Sequence, residues 1–142
     1  MKQKIQQSDA VAHLRDEVVA NMRHSYMAIS KRHGIGLFAS KELNPGDFLG
    51  KLDGQIIEST LHKNLQLTYE WNAIDERHFL VRPYRTFYSY INHDRRPNLI
   101  IRYNPMRVIV ADNILEDEEL TLDYRKEYLP SDYIEKKGKG YL

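Results

Sequence analysis

YINHDRRPN, residues 90–98, is the stretch on which the reading of this chain turns. Tyr90 and Ile91 have the character of a strand ending inside a core, yet two hydrogen-bonding side chains, Asn92 and His93, follow at once. Buried polar groups are costly unless bonded, so the pair either satisfies backbone groups in the interior or faces a ligand. Pro97-Asn98 closes the stretch as a turn. A metal role for His93 finds no support: no second histidine stands four residues away and no cysteine supplies a thiolate.

Around this stretch the composition describes one domain. A chain of 142 residues with 42% hydrophobic content can bury a core without metal or disulfide support. The absence of cysteine excludes disulfides, thiol catalysis and thiolate zinc sites. No apolar run approaches the ~20 residues that span a bilayer, so no membrane association is expected. MKQKIQQSDA, residues 1–10, lacks the apolar centre of a secretory signal. A cytoplasmic location is the expectation, with a host nucleus as the alternative for a viral or secreted effector. The net charge of +1 hides an uneven distribution. Residues 76–107 carry seven arginines against Glu76 and Asp94, and residues 116–124 carry five acids and no base. Such bands either receive a charged polymer or pair with each other inside the domain.

Along the chain, residues 8–22 read as a helix, with Ser8 as N-cap and Ala10, Leu14, Val18 and Met22 at helical spacing. A second short helix is expected near residues 59–65. Strands are expected at 26–30, 37–39, 48–57, 67–71, 78–81, 99–103, 106–111 and 120–124, with Asn104-Pro105 turning a hairpin. No repeat or low-complexity linker interrupts them. The sum is a mostly β domain with one N-terminal helix.

Two further segments carry chemistry-bearing residues. Gly34-Ile35-Gly36 is by itself a tight turn, or a place where missing side chains let backbone approach a ligand. It lacks the third glycine of a dinucleotide loop. Residues 118–124, EELTLDY, are by themselves an acidic turn leading into a strand. The order of the segments adds what none carries alone: GIGLFA at 34–39, LDGQII at 52–57, NHDRRPN at 92–98, EELTLDY at 118–124.

That order resembles the SET domain of protein-lysine methyltransferases, a compact stand-alone member without the zinc-binding cysteines that often follow the domain. The resemblance covers residues 24–128, leaving 1–23 as an N-terminal helical extension and 129–142 as a tail that completes the cofactor pocket. It implies the SET β-fold: several small curved sheets with a C-terminal pseudoknot, in which the last motif threads under the Asn-His segment. Threading of this kind is rare. The resemblance implies S-adenosylmethionine as cofactor, bound by His33, Gly34, Ile35, Asn92, His93 and Tyr124, with Tyr124 as the active-site tyrosine. Pro97 and Asn98 would fix the crossing. The implied partner is a protein with an accessible lysine, histone-like or ribosomal among the candidates. Nucleic acid is not expected directly, and a homodimer is open.

The implied chemistry has a physical requirement. A free lysine is protonated at neutral pH, and presenting it as the neutral amine costs roughly 4–5 kcal/mol. A narrow apolar channel lowers that cost by desolvating the ammonium. A tyrosine hydroxyl and backbone carbonyls can then orient the amine without a strong base.

The chain departs from the family pattern at the substrate side. Leu52 stands where a channel tyrosine is usual, and Leu122 where Phe or Tyr is associated with the number of methyls added. Asp94 replaces the serine after Asn-His. Tyr69, Trp71, Tyr88 and Tyr103 are the aromatic candidates to rebuild the channel. Two other readings compete: a SET-like module that holds cofactor or peptide without catalysis, and a nucleic-acid surface formed by arginines and aromatics over 82–96. The acidic residues 116–119 are either a solvated turn or a lure for a lysine-rich peptide.

Overall fold

The computed structural model describes residues 18–58, 60 and 70–126. Short apolar runs punctuated by turn residues produce twelve short strands among the described residues. They are β1 (Val18–Val19), β2 (Ser25–Ile29), β3 (Ile35–Ala39), β4 (Phe48–Lys51), β5 (Gln55–Glu58) and β6 (Glu70–Ala73). The second half gives β7 (His78–Arg82), β8 (Arg85–Thr86), β9 (Asn92–His93), β10 (Leu99–Arg102), β11 (Arg107–Val110) and β12 (Thr121–Leu122). Among the described residues they form five small sheets, ordered β1-β8, β10-β11-β4, β12-β9, β2-β3 and β5-β7-β6. No sheet among the described residues exceeds three strands, so they are held by contacts between sheets rather than by one long ladder.

The main core lies where the sheets meet. Leu37, Phe38, Leu43, Leu49, Ile91, Val108, Ile114 and Leu120 are sealed from solvent there. Burying a side chain of this kind stabilises the fold by about 1.5–3 kcal/mol. Leu52, at the position of the missing channel tyrosine, also belongs to this core.

The expected crossing is present. Residues 114–120 bond on one side to the β3 region: Leu43 and Ile114 bridge, Ala39 N–H donates to Glu118 O at 2.9 Å, and Leu120 N–H donates to Leu37 O at 2.8 Å. Immediately afterwards β12 runs parallel to β9, with Thr121 opposite Asn92 and Leu122 opposite His93. The chain is therefore wedged between two segments some eighty and thirty residues earlier in sequence. Asn98 clamps it, as expected. Its Nδ2 donates to Glu119 O at 2.8 Å and its Oδ1 accepts from Thr121 N–H at 2.8 Å.

The N-terminal helix needs correction where it can be seen. Val18 and Val19 form a strand parallel to Arg85 and Thr86, and Met22 packs in the core. The β-branched pair gains sheet hydrogen bonds and loses little rotamer freedom in them, which outweighs a thin helical stripe. Residues 8–17, most of the 59–65 helix, Tyr69 and the tail from residue 129 lie outside the described residues.

Candidate active site

Two neighbouring segments bring Asn92 to the surface of the core. A short 3-10 turn, Phe87–Tyr90, precedes it. Glu70, buried on β6, anchors both ends of that turn: it accepts from Thr86 N–H at 2.8 Å, from Thr86 Oγ at 2.6 Å and from Ser89 Oγ. Arg82 neutralises the carboxylate through Nε and reaches Asn72 Oδ1 at 2.8 Å. A buried charge is tolerated only with such a complete set of partners.

The hairpin between β2 and β3 supplies the other wall. Ser30 N–H donates to Gly34 O at 2.8 Å, and the Ser30 hydroxyl accepts from Arg32 N–H at 2.9 Å and from His33 N–H at 3.3 Å. Gly34 adopts φ +45° with open space where a Cβ would stand. Gly36 has a different reason to be glycine: a Cβ there would collide with the Glu119 carboxylate and lie 3.1 Å from Ser30 Cβ.

Glu119 is the hub that joins these walls. Its side chain is 5% exposed. It receives the Ser30 hydroxyl at 2.8 Å, Arg32 Nη1 at 2.9 Å and Asn92 Nδ2 at 2.9 Å. The same Asn92 amide nitrogen points at His33 O (3.0 Å) and Ile35 O (3.4 Å). Asn92 thus stitches the glycine hairpin to the threaded strand, and its orientation is unambiguous because all three neighbours are acceptors.

Asp94 completes the cluster. Arg32 Nε and Nη2 donate to Asp94 Oδ2 at 3.1 and 3.0 Å. The Arg96 backbone N–H, and after it the Arg32 guanidinium, hold the Asp94 carboxyl below its ordinary value. A depressed pKa contributes stability that is present above the ordinary carboxylate range, near 3.9, and is lost as pH falls through the folded-state value. Asp94→Asn is therefore expected to flatten the acid limb of the stability curve below about pH 4, with a change under ~1 kcal/mol at pH 7 because the pair is partly exposed. Urea midpoints measured across that pH range check it.

His93 and Tyr124 meet where the β9–β12 pair ends. The imidazole Nδ1 accepts from the Tyr124 backbone N–H at 3.0 Å, which makes Nε2 the protonated nitrogen of the neutral ring. The 3.8 Å approach of Asp123 Oδ1 to the same Nδ1 is then no ion pair; Asp123 is instead held by Arg125 at 2.7 and 2.9 Å. That guanidinium keeps the Asp123 carboxyl below its ordinary value. The rings of His93 and Tyr124 lie 5.4 Å apart, and the Tyr124 hydroxyl donates to Ile91 O.

A cavity of about 320 Å³ opens beside β12. Leu99, Ile101, Tyr103 and Leu122 give it apolar walls, with Asp123 and Lys126 at its polar part. Asn92, His93 and Tyr124 do not line it, but Leu122 stands opposite His93 in the ladder, so the cavity and the Asn-His segment share β12. Of the three aromatic candidates among the described residues, Tyr103 is the one in the wall. Trp71 packs edge-on against Phe79 at 5.4 Å, and Tyr88 lies under the Arg82 guanidinium at 5.8 Å.

The structure thus gathers His33, Gly34, Ile35 and Asn92 at one place. His93 is present with its side chain turned inward, 6% exposed, so only its backbone is available there. Ser30 and Arg32 escaped the sequence reading, which placed Glu119 in an acidic turn rather than in the interior. Within the acidic run, Glu119 is buried and Asp117 accepts from Tyr26 OH at 2.6 Å, whereas Glu116 and Glu118 are exposed. The signal for Arg32 was present in Asp94, since a carboxylate where a serine is usual calls for a cation nearby.

Compared with families of known proteins, residues 34–125 match the model of the SET domain. No curated protein matches the chain.

Proposed function

From the premise that the chain belongs to the SET domain family, generally associated with protein-lysine methyltransferases using S-adenosylmethionine, we propose that it transfers a methyl group from that donor to a lysine of a protein. The observation that carries this reading is the meeting of the glycine hairpin, Asn92 and the threaded 118–124 segment around Glu119.

The residues present fit the donor. Because the Asn92 amide nitrogen is spent on protein acceptors, Oδ1 is the group of this side chain left to accept from an ammonium. Gly34, exposed and without a Cβ, lets the backbone of residues 33–35 lie close against a bound molecule. When bound, the donor supplies a methyl on a sulfonium sulfur, which keeps the S–C electron pair as the amine takes the methyl. Everything else falls to side chains of the protein. The Tyr124 proton is committed to Ile91 O, so the phenol oxygen presents lone pairs, suited to an amine N–H or a polarised methyl C–H. The Leu99, Ile101 and Leu122 walls disfavour the ammonium form of an entering lysine, and Tyr103 takes the place of the aromatic missing at Leu52. The lysine proton leaves to solvent.

Tyr124→Phe tests the reading. Incubation with tritiated S-adenosylmethionine and cell lysate should show label transfer reduced ten- to a hundredfold, about the cost of a misplaced reacting group, with donor affinity changed only a few-fold. Donor bound by the wild type with no label transferred would leave a binding module without catalysis.

A further inference from the structure

The outward face of the β10-β11-β4 sheet carries two rows that, apart from Ile100 at the cavity wall, neither the core nor the candidate active site uses. Register places Arg102 opposite Arg107, and Arg107 opposite Lys51, so three cations stand side by side across three strands. The next row on the same face is Ile100, Ile109 and Phe48. Like charges directly opposite one another in a sheet repel. Their carboxylate partners are few: Lys51 approaches exposed Asp53 at 3.5 Å, Arg107 donates only to the carbonyls of Tyr103 and Pro105, and Arg102 has no partner among the described residues. A fourth cation, Arg23, lies 5.3 Å over the ring of Phe48, which is 39% exposed. None of Phe48, Ile100 and Ile109 belongs to a core cluster.

We propose that this face docks an acidic segment of the protein substrate, adjoining the target lysine, so that the substrates of this enzyme carry their lysine in an acidic context. The inference rests on the methyl-transfer reading for the lysine, and on the sheet face alone for the acid. Two features select this occupant. The cation row is complementary to carboxylates, and the adjacent half-exposed apolar row accepts apolar side chains of a peptide, which a phosphate backbone does not supply. Ile100 belongs both to this face and to the wall of the 320 Å³ cavity, so a chain lying on the face reaches the cavity directly.

The test uses short fluorescein-labelled peptides with one central lysine, flanked by glutamates or by glutamines, and fluorescence anisotropy with the full chain. Glutamate-flanked peptide should bind roughly five- to tenfold tighter, the sum expected from three exposed ion pairs. The advantage should fade at high salt and largely disappear in Arg102→Glu, a substitution that breaks no internal bond. Equal affinity for the two peptides overturns the proposal, as does displacement of the peptide by a single-stranded oligonucleotide at lower concentration. Parallel assays with tritiated donor separate the two readings. Transfer to both peptides with equal KM sinks the acidic-context proposal alone. Acidic peptide bound in an Arg102-dependent way, with no label transferred, sinks methyl transfer and supports the docking face.

Discussion

Glu119→Leu is expected to destabilise the protein by about 3–5 kcal/mol, the usual cost of removing one member of a buried, hydrogen-bonded charge cluster. The leucine fills the space but leaves the Ser30 hydroxyl, Arg32 Nη1 and one Asn92 N–H without their acceptor. Arg32 can fall back on Asp94, which is partly exposed; Asn92 has only the carbonyls of the hairpin. Because native stability is typically 5–15 kcal/mol, the loss takes a large share of the total. Glu119→Gln keeps volume and one acceptor oxygen while turning an NH2 toward a donor, so an intermediate loss of about 1–3 kcal/mol is expected. Urea unfolding followed by the single tryptophan, Trp71, reads both. A leucine variant within ~1 kcal/mol of the wild type would show that Glu119 is not the hub described. Donor affinity should fall in both variants, more than global stability requires, because Asn92 and the glycine hairpin are no longer held to each other.

Asn98→Leu should cost about 2–5 kcal/mol for a different reason. Its side chain is the partner of two backbone groups of the threaded segment, Glu119 O and Thr121 N–H. Leucine is similar in size, so little cavity forms, but each buried backbone group left unbonded costs about 1–3 kcal/mol. The loss should be local. Hydrogen exchange at the amides of Leu120 and Thr121 should accelerate more than at Val81 in the β5-β7-β6 sheet, which packs in a separate cluster with Ala73 and Phe79. Uniform acceleration would mean that the crossing opens only with the whole protein. Loosening the crossing should also lower turnover, since β12 carries the chain from the clamp to Tyr124.

The sequence was informative wherever a residue's identity is set by its nearest neighbours. The hairpin at Asn104-Pro105 with its flanking strands, and the two strands around the glycine turn, follow from short apolar runs and turn residues, although β3 starts at Ile35, inside that turn. The motif order carried the crossing and the role of Asn98 further than any local pattern could. Gly36 was legible only as a missing side chain; what fills the space is Glu119, eighty-three positions later, and no local rule connects them. Val18-Val19 misled because helical spacing of four apolar residues is a weak preference, overridden by pairing with β8.

By itself, then, the chain's order of residues determined a mostly β architecture, the candidate cofactor segments and the departure at Leu52 and Leu122. Tertiary structure alone decided that Glu119 is interior rather than a lure, that Arg32 answers Asp94, that His93 turns inward to Tyr124, and that Leu52 belongs to the core while Leu122 and Tyr103 wall the cavity. The physical reason is range. Strand and turn preferences act over a few residues, whereas the burial of a carboxylate depends on which distant segments the crossing brings within 3 Å of one another.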